Sequence, residues 1–233
     1  MSIPCKMRPM GLNRLPVGYI GLEFLESTGI QRVEADYPSD GRTAWSLRVE
    51  ETAAAVSFPY ASTLDVSARL GVATVNGRWR FDYASFMQPT MDVALNTVYE
   101  LALNKNRQCV INGQVVHTFP TVDFNGLPYV SLFAANGGSY PFTGRIWFYR
   151  AEKDGAEKLE LIPALDPAGT PCMFDLVSRQ PFHNKGTGQF IAGLTLAQAL
   201  KLKALPAKTA TPYHISPGRL RISRGGHGIH PKG

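Results

Sequence analysis

IPALDPAGTPCMFDLVSRQPFHNKGTGQFIAG, residues 162–193, holds short apolar runs separated by turn residues, and none of its spacings is helical. The run Ile162–Leu165 stops at Asp-Pro-Ala-Gly, the run Cys172–Val177 stops at Ser-Arg-Gln-Pro, and a glycine-rich return leads to Phe190. Short runs bounded by Gly, Pro, Asn and Asp are the signature of strands and turns. The same grammar extends through most of the chain. AWSLRVEE places Trp45, Leu47 and Val49 opposite Ser46, Arg48 and Glu50, and GLEFLES sets Leu22 and Phe24 against Glu23 and Leu25. This period of two marks strands with one buried face. VATVNGRWRFDY reads as a hairpin turning at Asn76-Gly77, since both positions of a two-residue turn need positive φ. Trp79, Phe81 and Tyr83 then line one face, and Arg78, Arg80 and Asp82 the other. Turns at Asn104 to Arg107 and at Asn112-Gly113 divide the next segment into a three-stranded meander. With YVSLFAA, RIWFYRAE, KLELIPA and CMFDLV, about ten to twelve short strands are expected, the spacing of an antiparallel sandwich. The only convincing helix, residues 194–205, lies in GLTLAQALKLKALP (193–206), where Thr195 and Gln198 form a capping box and Pro206 stops the run.

The charge is unevenly spread. The 233 residues carry 24 Lys and Arg against 18 Asp and Glu. All the acids lie between Glu23 and Asp175, whereas Lys6, Arg8 and Arg14 near the start and seven bases after residue 200 have no acidic neighbours. Fourteen basic and eighteen acidic residues remain between these ends, so the body is net −4. The division is an N-terminal arm over 1–18, a sandwich over 19–193, the helix, and a basic Gly/Pro-rich arm over 206–233 containing Arg219, Arg221 and Arg224. No apolar run approaches the roughly 20 residues of a membrane span, and the first residues lack the apolar core of a secretion signal. Cys5, Cys109 and Cys172 are too widely separated for a zinc site or a disulfide framework; Cys109 and Cys172 read as buried small hydrophobes.

Little in the sequence points to catalysis. His117 and His183 stand apart from any acid or nucleophile at useful spacing, and His227 and His230 sit in the glycine-rich tail without a supporting carboxylate. Asp36 and Asp40 in DYPSDG offer two carboxylates to a calcium ion, but the pattern is that of a turn. The glycines of NKGTGQF lack the following helix that gives a phosphate loop its logic. No paired carboxylates, catalytic triad or P-loop is present, so no enzyme, no metal and no cofactor are expected. The candidate ligand-binding residues are Arg78, Arg80 and Asp82 on the outward face of their strand, with Trp45 as an aromatic platform.

Three blocks of the chain carry a resemblance. LPVGYIGLEFLESTGIQRVEAD (15–36), GLPYVSLFAANGGSYPFTGRIWFYR (126–150) and LELIPALDPAGTPCMFDLVSRQPFHNKGTGQF (159–190) together resemble concanavalin-like, laminin-G-like jelly-roll modules of bacteriophage and prophage virion proteins, especially tail and fibre components. The similarity spans about residues 15–193 and rests on Leu15, Pro16, Tyr19, Glu26, Gly29 and Gln31, then on Leu132, Asn136, Gly138, Gly144 and Arg145, then on Ile162, Pro163, Asp175, Asn184, Gly186, Gly188 and Phe190. It implies an all-β antiparallel sandwich in which Asn184 and the glycines close the final hairpin and return Phe190 to the core. Asp175 is then a turn acceptor. The resemblance further implies a virion structural protein made in the bacterial cytoplasm, a tail, fibre or surface-displayed part able to contact host-surface glycan. Two alternatives stand beside it, a capsid decoration or cement protein and a carbohydrate-binding module of a bacterial surface protein. The implied partners are copies of the chain and other virion proteins, with nucleic acid engaged only through the basic C-terminal arm.

Overall fold

The computed structural model describes residues 14–65, 67–124 and 129–204. The basic arm after residue 205, the HGIH pair, Cys5 and the first thirteen residues lie outside the described residues. The strands in chain order are β1 (Ile20–Gly21), β2 (Leu25–Thr28), β3 (Val33–Ala35), β4 (Thr43–Glu51), β5 (Ser57–Thr63), β6 (Arg69–Val75), β7 (Arg78–Tyr83), β8 (Phe86–Asp92), β9 (Val98–Leu103), β10 (Gln108–Ile111), β11 (Gln114–Thr118), β12 (Val130–Leu132), β13 (Thr143–Lys153), β14 (Ala156–Leu165), β15 (Pro171–Asp175), β16 (Pro181–His183) and β17 (Ile191–Ala192). One helix, α1 (Leu196–Ala204), follows them. Among the described residues no helix is long and apolar enough to cross a membrane.

The strands build two antiparallel sheets. The larger runs β11-β10-β9-β4-β13-β14-β15-β16, with β2 on the free half of β13, β17 on β2 and β1 on β14; the smaller runs β3-β12-β5-β6-β7-β8. Their inner faces enclose one core. Leu47 and Val49 of β4, Leu101 and Leu103 of β9 and Tyr149 of β13 meet Tyr60, Val72, Trp79 and Phe81 from the smaller sheet. Trp45 stacks on Phe81 with ring centroids 5.6 Å apart, and Tyr60 meets Tyr149 at 4.7 Å, so the aromatic payload lies between the layers. The molecule is an all-β sandwich with a short C-terminal helix.

Local chemistry sets the turns as expected. Asn76 and Gly77 have φ of 51° and 70°, and Asn112 and Gly113 have 49° and 82°, the all-positive pair that a tight hairpin requires. Among the described residues seventeen strands are found instead of ten to twelve: β1, β3, β16 and β17 span only two or three residues and exist through pairing, and β5 and β8 carry no readable alternation. One face assignment is corrected. Leu22 and Leu25 both enter the core while Phe24 does not; the chain bends at Glu23, and Phe24 packs outward on Trp147 at 5.4 Å.

The first described residues reach the sandwich. Leu15 and Tyr19 cover a second, smaller apolar cluster of Ile162, Ala164, Cys172, Phe174 and Leu176, and Arg14 reaches Glu160 at 2.6 Å. Arg14, Leu15 and Tyr19 therefore contact the sandwich. At the other end, the capping box of α1 is reciprocal: the Gln198 amide N–H donates to Thr195 Oγ1 at 3.2 Å, and the Thr195 amide donates to Gln198 Oε1 at 2.9 Å. Leu196 and Ala199 are the buried face of this helix. Thr195→Ala is expected to cost about 1 kcal/mol, visible as faster amide exchange in α1 before the sheets are affected.

Candidate functional site

The outward face of the smaller sheet forms a groove of about 520 Å³, within the roughly 300–1,000 Å³ of small-ligand sites. Its shape follows from register. Ala61, Gly71, Asp82 and Met87 lie in one cross-strand row over β5, β6, β7 and β8, and Ala73, Arg80 and Pro89 in the next. Side chains this small in the middle strands leave a hollow, in which the longer side chains of β7 lie flat. The wall comes from the loop between β12 and β13, with Ala135, Asn136, Ser139 and Tyr140.

Arg80 and Asp82 form the central polar feature. The guanidinium grips the carboxylate with Nε to Oδ1 and Nη2 to Oδ2, both 2.8 Å, the bidentate geometry of the strongest ion pairs. Asp82 is only 3% exposed. Burial raises its carboxyl above the usual range even though Arg80 pulls the other way. Alternation put this residue on the outward face correctly, but the carboxylate itself is buried there, not wet. The Arg80 guanidinium carbon also lies 5.5 Å from the centroid of Phe58, and Phe58 lies 5.8 Å from Tyr140, giving a continuous line of aromatic and planar surfaces. Arg69 and Asp65 complete the charged lining. Asp65 is held by the Ser67 hydroxyl and the amides of Ser67 and Ala68, and the Ser67 hydroxyl leads in lowering its carboxyl.

Tyr140 is the residue the sequence did not single out. Its φ is +48°, a left-handed conformation that costs a non-glycine residue about 1–2 kcal/mol. Its carbonyl accepts the Phe58 amide at 3.1 Å, while Ala135 and Ser139 close the loop behind it. Yet the residue is 56% exposed. A left-handed backbone beneath an exposed aromatic side chain at the groove wall makes Tyr140 a candidate contact residue. The only sequence signal was the turn cluster Asn136-Gly137-Gly138-Ser139 before it.

The other sequence candidates separate. Arg78 lies outside the groove lining, paired with Asp92 at 3.2 Å and donating to the Thr90 carbonyl. Trp45 is 3% exposed between the sheets, so it offers no open face to a ligand; Trp79 is buried with it, and Trp147 is covered by Phe24 and Arg48. Asp40 is engaged by Lys153 at 2.5 Å and by Arg42. Burial works against its charged form, but Lys153 and Arg42 outweigh it and hold the carboxyl low. Among the described residues no group of three or more His, Cys, Asp or Glu is placed to hold a metal ion.

One arrangement imitates a catalytic triad. Cys172 and His183 are direct partners across β15 and β16, and Asp166 Oδ2 lies 3.7 Å from His183 Nε2. The thiol is fully buried and pushed up to about 12 by that burial, and His183 Nδ1 has no hydrogen-bond partner among the described residues. A thiol so far from ionisation is a packing group. Asp175 is the turn acceptor foreseen, taking the amides of Glu160, Val177 and Ser178. No protein-family model matches the chain, and no curated protein matches it.

Proposed function

We propose that the chain is a bacteriophage virion structural protein, a tail, fibre or surface-displayed component whose sandwich meets saccharide on the host surface through the groove of Tyr140, Phe58 and Arg80. The observation that carries the recognition half is the exposed, strained Tyr140 beside that groove. The three-block resemblance over residues 15–193 supplies the virion half. Self-assembly draws on a separate feature. Edge strand β11, Gln-Val-Val-His-Thr, carries no charge and exposes Val115 and Val116, and edge strand β8 exposes Phe86, Met87 and Met91. An uncharged edge such as β11 favours pairing with another chain, so copies of the protein are the partners proposed there, and a capsid cement role would use the same edge.

Labelled protein should bind intact cells of a susceptible bacterial strain, and periodate oxidation of the surface diols should abolish that binding; unchanged binding after periodate overturns the recognition half. Particles purified from the encoding host should contain the chain. A version ending at residue 205 should fold yet be missing from them, and its presence at normal stoichiometry would remove the anchoring role of Arg219, Arg221 and Arg224.

A further inference from the structure

We infer that the groove takes an uncharged saccharide, with one sugar ring stacked on Tyr140; the inference rests on reading the groove as a recognition site. Charge balance comes first. The charged side chains lining the groove are Asp65, Arg69, Arg80 and Asp82, two of each sign. Arg80 is already committed to Asp82 through both arms of its fork. Arg69 has no carboxylate within ion-pair distance among the described residues: its Nη1 lies 2.7 Å from Met87 Sδ, and its field favours the charged form of both Asp65 and Asp82. An anionic sugar would meet two carboxylates beside the cations, and Arg80 would have to leave Asp82 to pair with it. A cationic ligand would face two guanidinium groups. An uncharged ring meets neither obstacle.

The remaining lining favours the two-sided chemistry of a pyranose. Val56, Phe58, Val75, Met87 and Tyr140 supply apolar and aromatic surface, which accepts the C–H face of a sugar as it accepts other flat apolar groups. Ring hydroxyls need both donors and acceptors at the rim. Arg69 supplies donors, and Asp65 supplies Oδ2, since the turn bonds of Ser67 and Ala68 all go to Oδ1. Tyr140 is the stacking residue because the Phe58 amide fixes its backbone while its ring stays open to solvent.

Titration calorimetry would use dextran, galactan and chitin oligosaccharides as uncharged probes, and oligogalacturonate and oligosialic acid as acidic ones. At least one uncharged probe is expected to bind, with affinity unchanged between roughly 50 and 500 mM salt, because no net charge is paired. Tyr140→Asn keeps a residue that tolerates positive φ and removes the ring; affinity should fall at least about tenfold with the melting temperature retained, while Tyr140→Phe binds as the parent does. Val75→Arg fills the groove from a different strand and should abolish binding without touching the loop. If acidic probes bind more tightly, in a salt-sensitive manner, the inference falls and the recognition reading stands. Unchanged affinity in both Tyr140→Asn and Val75→Arg also overturns the inference, by placing the saccharide elsewhere. If no saccharide of either kind binds, the recognition reading itself falls.

Discussion

Gly186→Ala is expected to destabilise the sandwich by about 3 kcal/mol, the upper range for forcing a methyl group into packed structure. A loss of that size lowers the melting temperature of a domain this large by roughly 6–12 °C. The segment after β16 is laid directly on the backbone after β2. The Lys185 amide donates to the Arg32 carbonyl at 2.8 Å and the Thr187 amide to the Ile30 carbonyl at 3.0 Å, while Asn184 Oδ1 accepts the amides of Arg32 and Gly186. A Cβ on Gly186 would stand 2.1 Å from the Ile30 carbonyl oxygen and 3.1 Å from Gln31 Cα. Neither obstacle is a side chain that could swing away, so the segment must lift and give up those bonds. Gly77→Ala is the control. Gly77 needs its φ of 70°, but an added Cβ there meets nothing within 4 Å, so only the conformational cost of about 1 kcal/mol applies. Thermal melts in which Gly77→Ala is the more damaging change would refute the close-approach account of Gly186.

How much could be read from the sequence depended on whether the signal was local. β4 was legible because Trp45, Leu47 and Val49 alternate with Ser46 and Arg48 over one buried face. The hairpin turns were legible because Asn-Gly carries its backbone preference within two residues. β5 was not, since Pro59 and a register shift between Ser57 and Tyr60 break its alternation. β8 was not, since it is an edge strand with no buried face. The groove was half legible: Arg80 and Asp82 were in view, but Phe58 and Tyr140 join them only through the pairing of β5, β6 and β7 and the hydrogen bond from the Phe58 amide. Trp45 misled for a related reason. Tryptophan suits a sugar platform, but a large apolar ring gains most by burial, and on β4 the core face was available to it.

Glu51 gives the sandwich a pH dependence of its own. The side chain is fully buried at the end of β4, and it crosses to the smaller sheet, where Ser57 Oγ donates to Oε1 at 3.0 Å and Thr74 Oγ1 donates to Oε2 at 2.8 Å. Two hydroxyls bolt the sheets together here, and no cation lies within ion-pair distance among the described residues. Burial therefore raises the carboxyl above its ordinary value of 4.5, and the two hydroxyl bonds only partly offset it. The folded state binds the proton more tightly than the unfolded state does. Above the raised folded value the full cost of burying the charge is felt, and stability rises as pH falls from there toward 4.5. Glu51→Gln keeps the shape and an acceptor for one hydroxyl while removing the charge. At pH 8 the variant should be more stable than the parent by about 1–3 kcal/mol, the scale on which an incompletely compensated buried polar group is felt. Near pH 4 the parent carries the proton and the advantage should vanish. Urea titrations of both proteins at the two pH values measure the difference directly, and an equal gap at pH 4 and pH 8 would mean that the carboxylate is not the titrating group.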